Sequence, residues 1–108
     1  MREALLRTGG DSDLLSQLAG LFIEESRTLL PALRSAVQAR DARSIEHQAH
    51  SLKGSVANFG AKDIYELARA LEQKGRERDM TGVDELFIAL DRSATLLTRE
   101  LEAISRTA

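Results

Sequence analysis

Apolar residues along the chain fall at three- and four-residue steps rather than in alternation, and these steps divide it into helical segments. An opening apolar turn (Ala4, Leu5, Leu6) is followed by Gly9-Gly10, which predicts a stop, with Asp11 or Ser12 placed to cap the next helix. Leu14, Leu15, Leu18, Leu21, Phe22, Leu29, Leu33, Ala36 and Val37 then mark an amphipathic helix of about seven turns, ending near Arg40. Pro31 lies inside it. A proline there removes one ladder bond and crowds the preceding turn, so the expectation is a kink, or two helices nearly in line.

Asp41 is placed to cap a helix running to about Asn58, with Ile45, Ala49, Leu52, Val56 and Phe59 as its apolar stripe. Gly60 should end it as a C-terminal cap. A further helix starts near Ala61, carries Ile64, Leu67, Ala68 and Leu71, and is expected to fade at Gly75. After the polar turn RERDMTG, a last helix bears Val83, Leu86, Phe87, Leu90, Ala94, Leu97, Leu101 and Ile104. Four amphipathic helices on short turns predict an all-α, up-down four-helix bundle, with a short N-terminal helix as a lid.

Composition agrees. The 108 residues suit one domain, and a chain of this size buries roughly two-thirds of its unfolded surface without disulfides or a structural metal. Leucine (17) and alanine (15) dominate the apolar 43%, and both enter helices at little entropic cost. With no cysteine, thiolate metal sites, disulfide scaffolds and cysteine nucleophiles are excluded. A net charge of −2, with twelve arginines and three lysines spread among acids, offers no polyanion-binding face, so no nucleic acid is expected. No apolar run approaches a membrane span and no signal-peptide pattern opens the chain. A cytoplasmic location with no membrane contact by this domain follows as an expectation.

The chemistry concentrates in residues 47–61, His-Gln-Ala-His-Ser-Leu-Lys-Gly-Ser-Val-Ala-Asn-Phe-Gly-Ala. Helical spacing puts His50, Lys53, Gly54 and Ala57 on one strip, with His47 on its N-terminal side. The apolar stripe of the same helix lies on the other side. A mid-helix glycine costs about 1 kcal/mol relative to alanine. At Gly54, one turn after His50, that cost fits a need for something to come close to the imidazole. Lys53 supplies a positive charge that would repel a metal but suit an anion. A phosphoryl group on an imidazole nitrogen meets both conditions, since the neutral ring is a nucleophile and a lysine pairs with phosphate oxygens.

The run AHSLKGSVANFGA closely resembles the signature of histidine-containing phosphotransfer (HPt) domains, His-x-Leu-Lys-Gly followed by a Gly-Ala pair. GGDSDLLSQLAGLFIEES looks like the family's first long helix, and LARALEQKGRERDM like its post-motif helix and turn. The resemblance implies a bundle that accepts a phosphoryl group on one histidine and passes it to a receiver-domain aspartate of a response regulator. Carried over by position, His50 is the phosphoacceptor, Lys53 steadies the phosphoryl group and Gly54 leaves it room. Glu72, ahead of Gln73-Lys74-Gly75-Arg76, matches the residue that orients the imidazole through its inner nitrogen, with Gln73 the alternative if the register shifts by one. The same resemblance places the acidic residues and Mg²⁺ in the receiver, so no cofactor and no metal are expected in this chain.

The partners expected are receiver domains, and the chain itself is expected to be a monomer. The pattern begins almost at residue 2, which suggests that residues 1–108 are an HPt domain cut from a larger hybrid sensor histidine kinase that could be membrane-anchored. No Gly-rich phosphate loop is present, so autokinase activity is not expected, and whether such a transfer domain counts as an enzyme stays open. The alternative reading is an unphosphorylated HPt-like module that docks or sequesters a receiver.

The blander readings are specific. Gly54 could be a helix–helix contact, Lys53 a solubilising lysine, and Glu72 a surface partner of Arg69 or Arg76. A metal site from His47, His50 and Glu46 is disfavoured because both histidines lie on one helix, where bundle sites draw on two. An apolar docking patch is expected from Leu5 and Leu6 together with Leu14, Leu18 and Phe22.

Overall fold

The computed structural model describes residues 12–57 and 61–107, with side chains from 16–57 and 61–103. Four helices make up the bundle: α1 (Ser12–Gln38), α2 (Ala42–Val56), α3 (Lys62–Glu77) and α4 (Val83–Thr107). Each packs on its neighbours in sequence, and α4 closes the ring against α1. At 1.5 Å per residue, the 27 residues of α1 span about 40 Å. They account for the longest dimension of a 41 × 20 × 18 Å molecule. The expected short N-terminal helix, its Gly9-Gly10 stop and the Gly60 cap lie outside the described residues. No helix among the described residues is long and apolar enough to cross a membrane.

The stripes meet as helical periodicity requires. Phe22, Leu33, Ile45, Leu52, Ile64, Leu71, Leu90 and Leu101 are all fully buried. Burying each such side chain is worth about 1.5–3 kcal/mol, and this seam holds the bundle closed. Two expectations for α1 change. The helix is continuous through Pro31 rather than two helices in line. Pro31 is exposed, so the ladder bond its missing N–H removes is lost on the solvent side of the helix. Leu21, expected on the apolar stripe, is 52% exposed; Phe22 of that stripe is buried, and so are Ala19 and Ile23, which the stripe did not include.

The turns are built without glycine where glycine is usual. At the end of α1, Arg40 adopts φ 54°, and Asp41 N–H reaches Ala36 O (3.0 Å) while Arg40 N–H reaches Val37 O (3.2 Å). This pair of bonds satisfies carbonyls of the last turn. The end of α3 repeats it: Arg78 has φ 56°, with Asp79 N–H on Lys74 O and Arg78 N–H on Gly75 O. The α3 helix therefore ends at Glu77, two residues beyond the expected stop at Gly75. Asp79 then accepts from the Thr81 N–H (3.0 Å) and pairs with Lys74 (3.1 Å). The Thr81 N–H holds its carboxyl below the usual range, with Lys74 adding to the effect.

Candidate functional site

Helix α2 begins where Asp41 Oδ1 accepts from the Ser44 N–H at 3.2 Å, satisfying a donor the first turn would otherwise leave open. That start sets the phase of the helix. Ile45, Ala49, Leu52 and Val56 turn into the core, all at 0% exposure. The opposite side presents His47, His50 and Gly54 to solvent, and a Cβ added at Gly54 would meet nothing within 4 Å. Ser55, next to Gly54, donates to Glu25 of α1 and fixes the other flank of the helix.

The third helix approaches α2 closely because of Gly75, which is buried within α3. A Cβ there would lie 2.6 Å from the Ala42 carbonyl oxygen and 2.7 Å from the Glu46 nitrogen. The helix–helix contact glycine is thus Gly75, while Gly54 faces open space. Expected from the sequence as a helix stop, Gly75 instead lets the backbones of α2 and α3 touch. One turn before it, Glu72 enters the gap at 5% exposure.

Glu72 is the hub. Its Oε2 lies 2.8 Å from His50 Nδ1 and 3.3 Å from Arg76 Nη2, and its Oε1 lies 2.6 Å from Lys53 Nζ. The Lys53 contact holds the Glu72 carboxyl below its ordinary range; burial opposes this and His50 reinforces it. An ionised carboxylate only accepts, so the proton of the contact sits on His50 Nδ1. In the neutral ring the other nitrogen, Nε2, carries the lone pair, and it has no hydrogen-bond partner among the described residues. The His50 side chain is 68% exposed. Its inner nitrogen is held by a buried group while its outer edge faces solvent.

Of the residues named from the sequence, His50, Lys53 and Glu72 come together, with Gly54 one turn along the same helix. Gln73 does not join them; it is exposed and donates to Glu77 at 2.9 Å. Glu46 does not line up with the histidines toward a metal. It accepts from Arg76 Nε at 3.2 Å. Phe22, expected in a docking patch, is 1% exposed and belongs to the core. Leu18 is half-buried, Leu5 and Leu6 lie outside the described residues, and nothing is described of the Leu14 side chain. Two further residues complete the cluster. Arg76, which the sequence offered as a surface partner of Glu72, ties Glu72 to Glu46. Tyr65, seven residues before Glu72, has its ring centroid 5.9 Å from Lys53 Nζ.

An oriented imidazole beside a lysine on a cleared helix surface can act as a nucleophile toward an anionic group. The Hpt domain family profile matches residues 17–107. No match was found among curated proteins. Among solved structures, the chain is similar in fold to histidine-containing phosphotransfer protein B (HptB) from Pseudomonas aeruginosa PAO1. The TM-score is 0.87 and the identity 24%, covering 99% of this chain and 93% of that one. The chain belongs to the Hpt domain family, and its function is phosphotransfer in a phosphorelay.

Proposed function

We propose that His50 is the phosphoacceptor and that the chain relays a phosphoryl group between the aspartates of two receiver domains. The observation that carries this is the asymmetric setting of the ring: Nδ1 is fixed 2.8 Å from a buried carboxylate, and the exposed ring leaves Nε2 available. The Nε2 lone pair attacks the phosphorus of a receiver aspartyl phosphate. An N–P bond forms as the P–O bond to the aspartate breaks, and the aspartate leaves as a carboxylate. No proton has to depart. The ring becomes a phosphoimidazolium with its Nδ1–H on Glu72, whose charge opposes the new positive charge in a partly buried setting.

The reverse step regenerates neutral imidazole and an aspartyl phosphate on the second receiver, so the partners set the direction. Lys53 offers its ammonium to the phosphoryl oxygens. Gly54 keeps the approach to Nε2 clear, and Mg²⁺ and the acidic residues come with the receiver. The partner's apolar contact on this chain includes Leu21, which is exposed and one turn from Glu25, the α1 residue bonded to Ser55 beside Gly54.

Incubation with a receiver carrying labelled phosphate is the direct test. Acid-labile label should move to this chain, and His50→Gln should abolish the transfer while helicity by circular dichroism stays unchanged. Label that persists on the His50→Gln variant overturns the assignment. Binding of the receiver without label transfer would mark a sequestering module instead.

A further inference from the structure

Lys53 is not a loose surface cation. Its side chain is only 22% exposed, and it passes from α2 toward two residues of α3 that share a face, Tyr65 and Glu72. On one side Nζ meets Glu72 Oε1 at 2.6 Å, and on the other it lies 5.9 Å from the centre of the Tyr65 ring. Tyr65 is half-buried and packed on the core, so the ring cannot easily turn away.

These two contacts differ in kind. A carboxylate takes one of the three ammonium hydrogens, whereas an aromatic face attracts the charge through its quadrupole and takes none. We infer that Tyr65 is a positioning residue for phosphotransfer: its ring holds the Lys53 ammonium beside His50 while leaving its remaining hydrogens for phosphoryl oxygens. A free lysine has a flexible four-carbon stem, and fixing it costs rotamer entropy during the reaction. Held between Glu72 and Tyr65, Lys53 has lost that freedom beforehand, so less of the barrier is spent on ordering it. This inference rests on the reading above that Lys53 steadies the phosphoryl group.

Tyr65→Phe, Tyr65→Leu, Lys53→Ala and the double variant Lys53→Ala/Tyr65→Leu in the full chain test it with two readouts. The first is the rate of phosphoryl transfer from a phosphorylated receiver. The second is the proton shift of the Lys53 ε-methylene in carbon-13 lysine-labelled protein, where Lys53, Lys62 and Lys74 are the only lysines to assign. Tyr65→Leu should abolish the ring-current shift of Lys53 and slow transfer by about two- to fivefold, the factor a cation–π contact of ordinary strength supplies. Tyr65→Phe should restore both, and Tyr65→Leu should add nothing to Lys53→Ala. Equal slowing by Tyr65→Leu with and without Lys53, or a Lys53 shift that ignores Tyr65, overturns the inference. Wild-type transfer by Lys53→Ala, with the Lys53 shift still dependent on Tyr65, overturns the phosphoryl-steadying role of Lys53 instead.

Discussion

The Lys53 ammonium and the Glu72 carboxylate lie 2.6 Å apart between α2 and α3, the glutamate side chain 7% exposed and the lysine side chain 22%. A partly buried pair of this kind makes each member dependent on the other, because removing one leaves a desolvated charge behind. The Glu72 carboxyl is held below its ordinary value of 4.5 mainly by Lys53. With the folded-state value depressed, the pair's stabilisation is fully present above about pH 4.5 and is lost as pH falls through the lowered value. Glu72→Gln should therefore be less stable than wild type by about 1–3 kcal/mol at pH 7. The gap should narrow as acid protonates Glu72 and close once it is neutral. Urea unfolding of both proteins between pH 7 and pH 3 checks this; a gap that stays constant or widens in acid contradicts it.

Gly54 sets stability against approach. A Cβ there meets nothing in the folded chain, so Gly54→Ala has no steric cost and gains helix propensity. The variant should be more stable than wild type by about 0.5–1 kcal/mol. The added methyl nevertheless stands one turn from His50, on the surface a receiver must reach. Transfer should slow, and slow further in Gly54→Leu. Thermal melts paired with transfer rates would show the two properties moving in opposite directions; a Gly54→Leu protein that transfers at the wild-type rate removes the steric role.

Gly75 should behave in the opposite way. Its missing Cβ would lie 2.6 Å from the Ala42 carbonyl oxygen, and backbone at a helix start cannot swing aside as a side chain can. Gly75→Ala has to push α3 from α2, at a cost of about 1–3 kcal/mol or more. The same displacement carries Glu72, one turn away, off His50. A lower melting temperature and slower transfer are expected together, with the Nδ1–H of His50 losing its protected signal in proton NMR.

The contrast between these glycines shows where sequence reasoning reaches its limit. The stripes of α2 and α3 were legible because their apolar positions occupy a single face; Ile45, Ala49, Leu52 and Val56 are all buried. With that phase set, the His50–Lys53–Gly54 strip had to lie on the outward side. Gly75 was misleading because a glycine near a polar turn carries the same local signal whether it ends a helix or admits a neighbouring backbone. Only the crossing of two helices distinguishes the cases. Phe22, expected both on the apolar stripe and in a docking patch, takes only the first place, for a different reason. Leu18, Leu21, Phe22, Ile23, Leu29 and Leu30 surround much of α1, so periodicity alone does not decide which of two adjacent residues faces the core. Tyr65 went unnoticed because a cation–π contact between helices leaves no spacing rule in the sequence.

That register of α1 leads to a test of the docking surface. Leu21 is 52% exposed, and shares a face with Glu25, which is bonded to Ser55 of α2. Ile88 (59%) and Leu96 (53%) are exposed to a similar degree on α4, which packs on α1 and α3 but not closely on α2. Transient interfaces are small, and a buried apolar anchor at their centre carries much of their energy. Leu21→Ser should raise the receiver concentration needed for half-maximal transfer by about five- to tenfold, corresponding to roughly 1–1.4 kcal/mol. Its maximal rate should be kept, since His50 and Glu72 are untouched. Ile88→Ser and Leu96→Ser should transfer as wild type does. Receiver titrations of the three variants check this, and a dependence on Ile88 or Leu96 that equals the dependence on Leu21 would move the docking face away from α2.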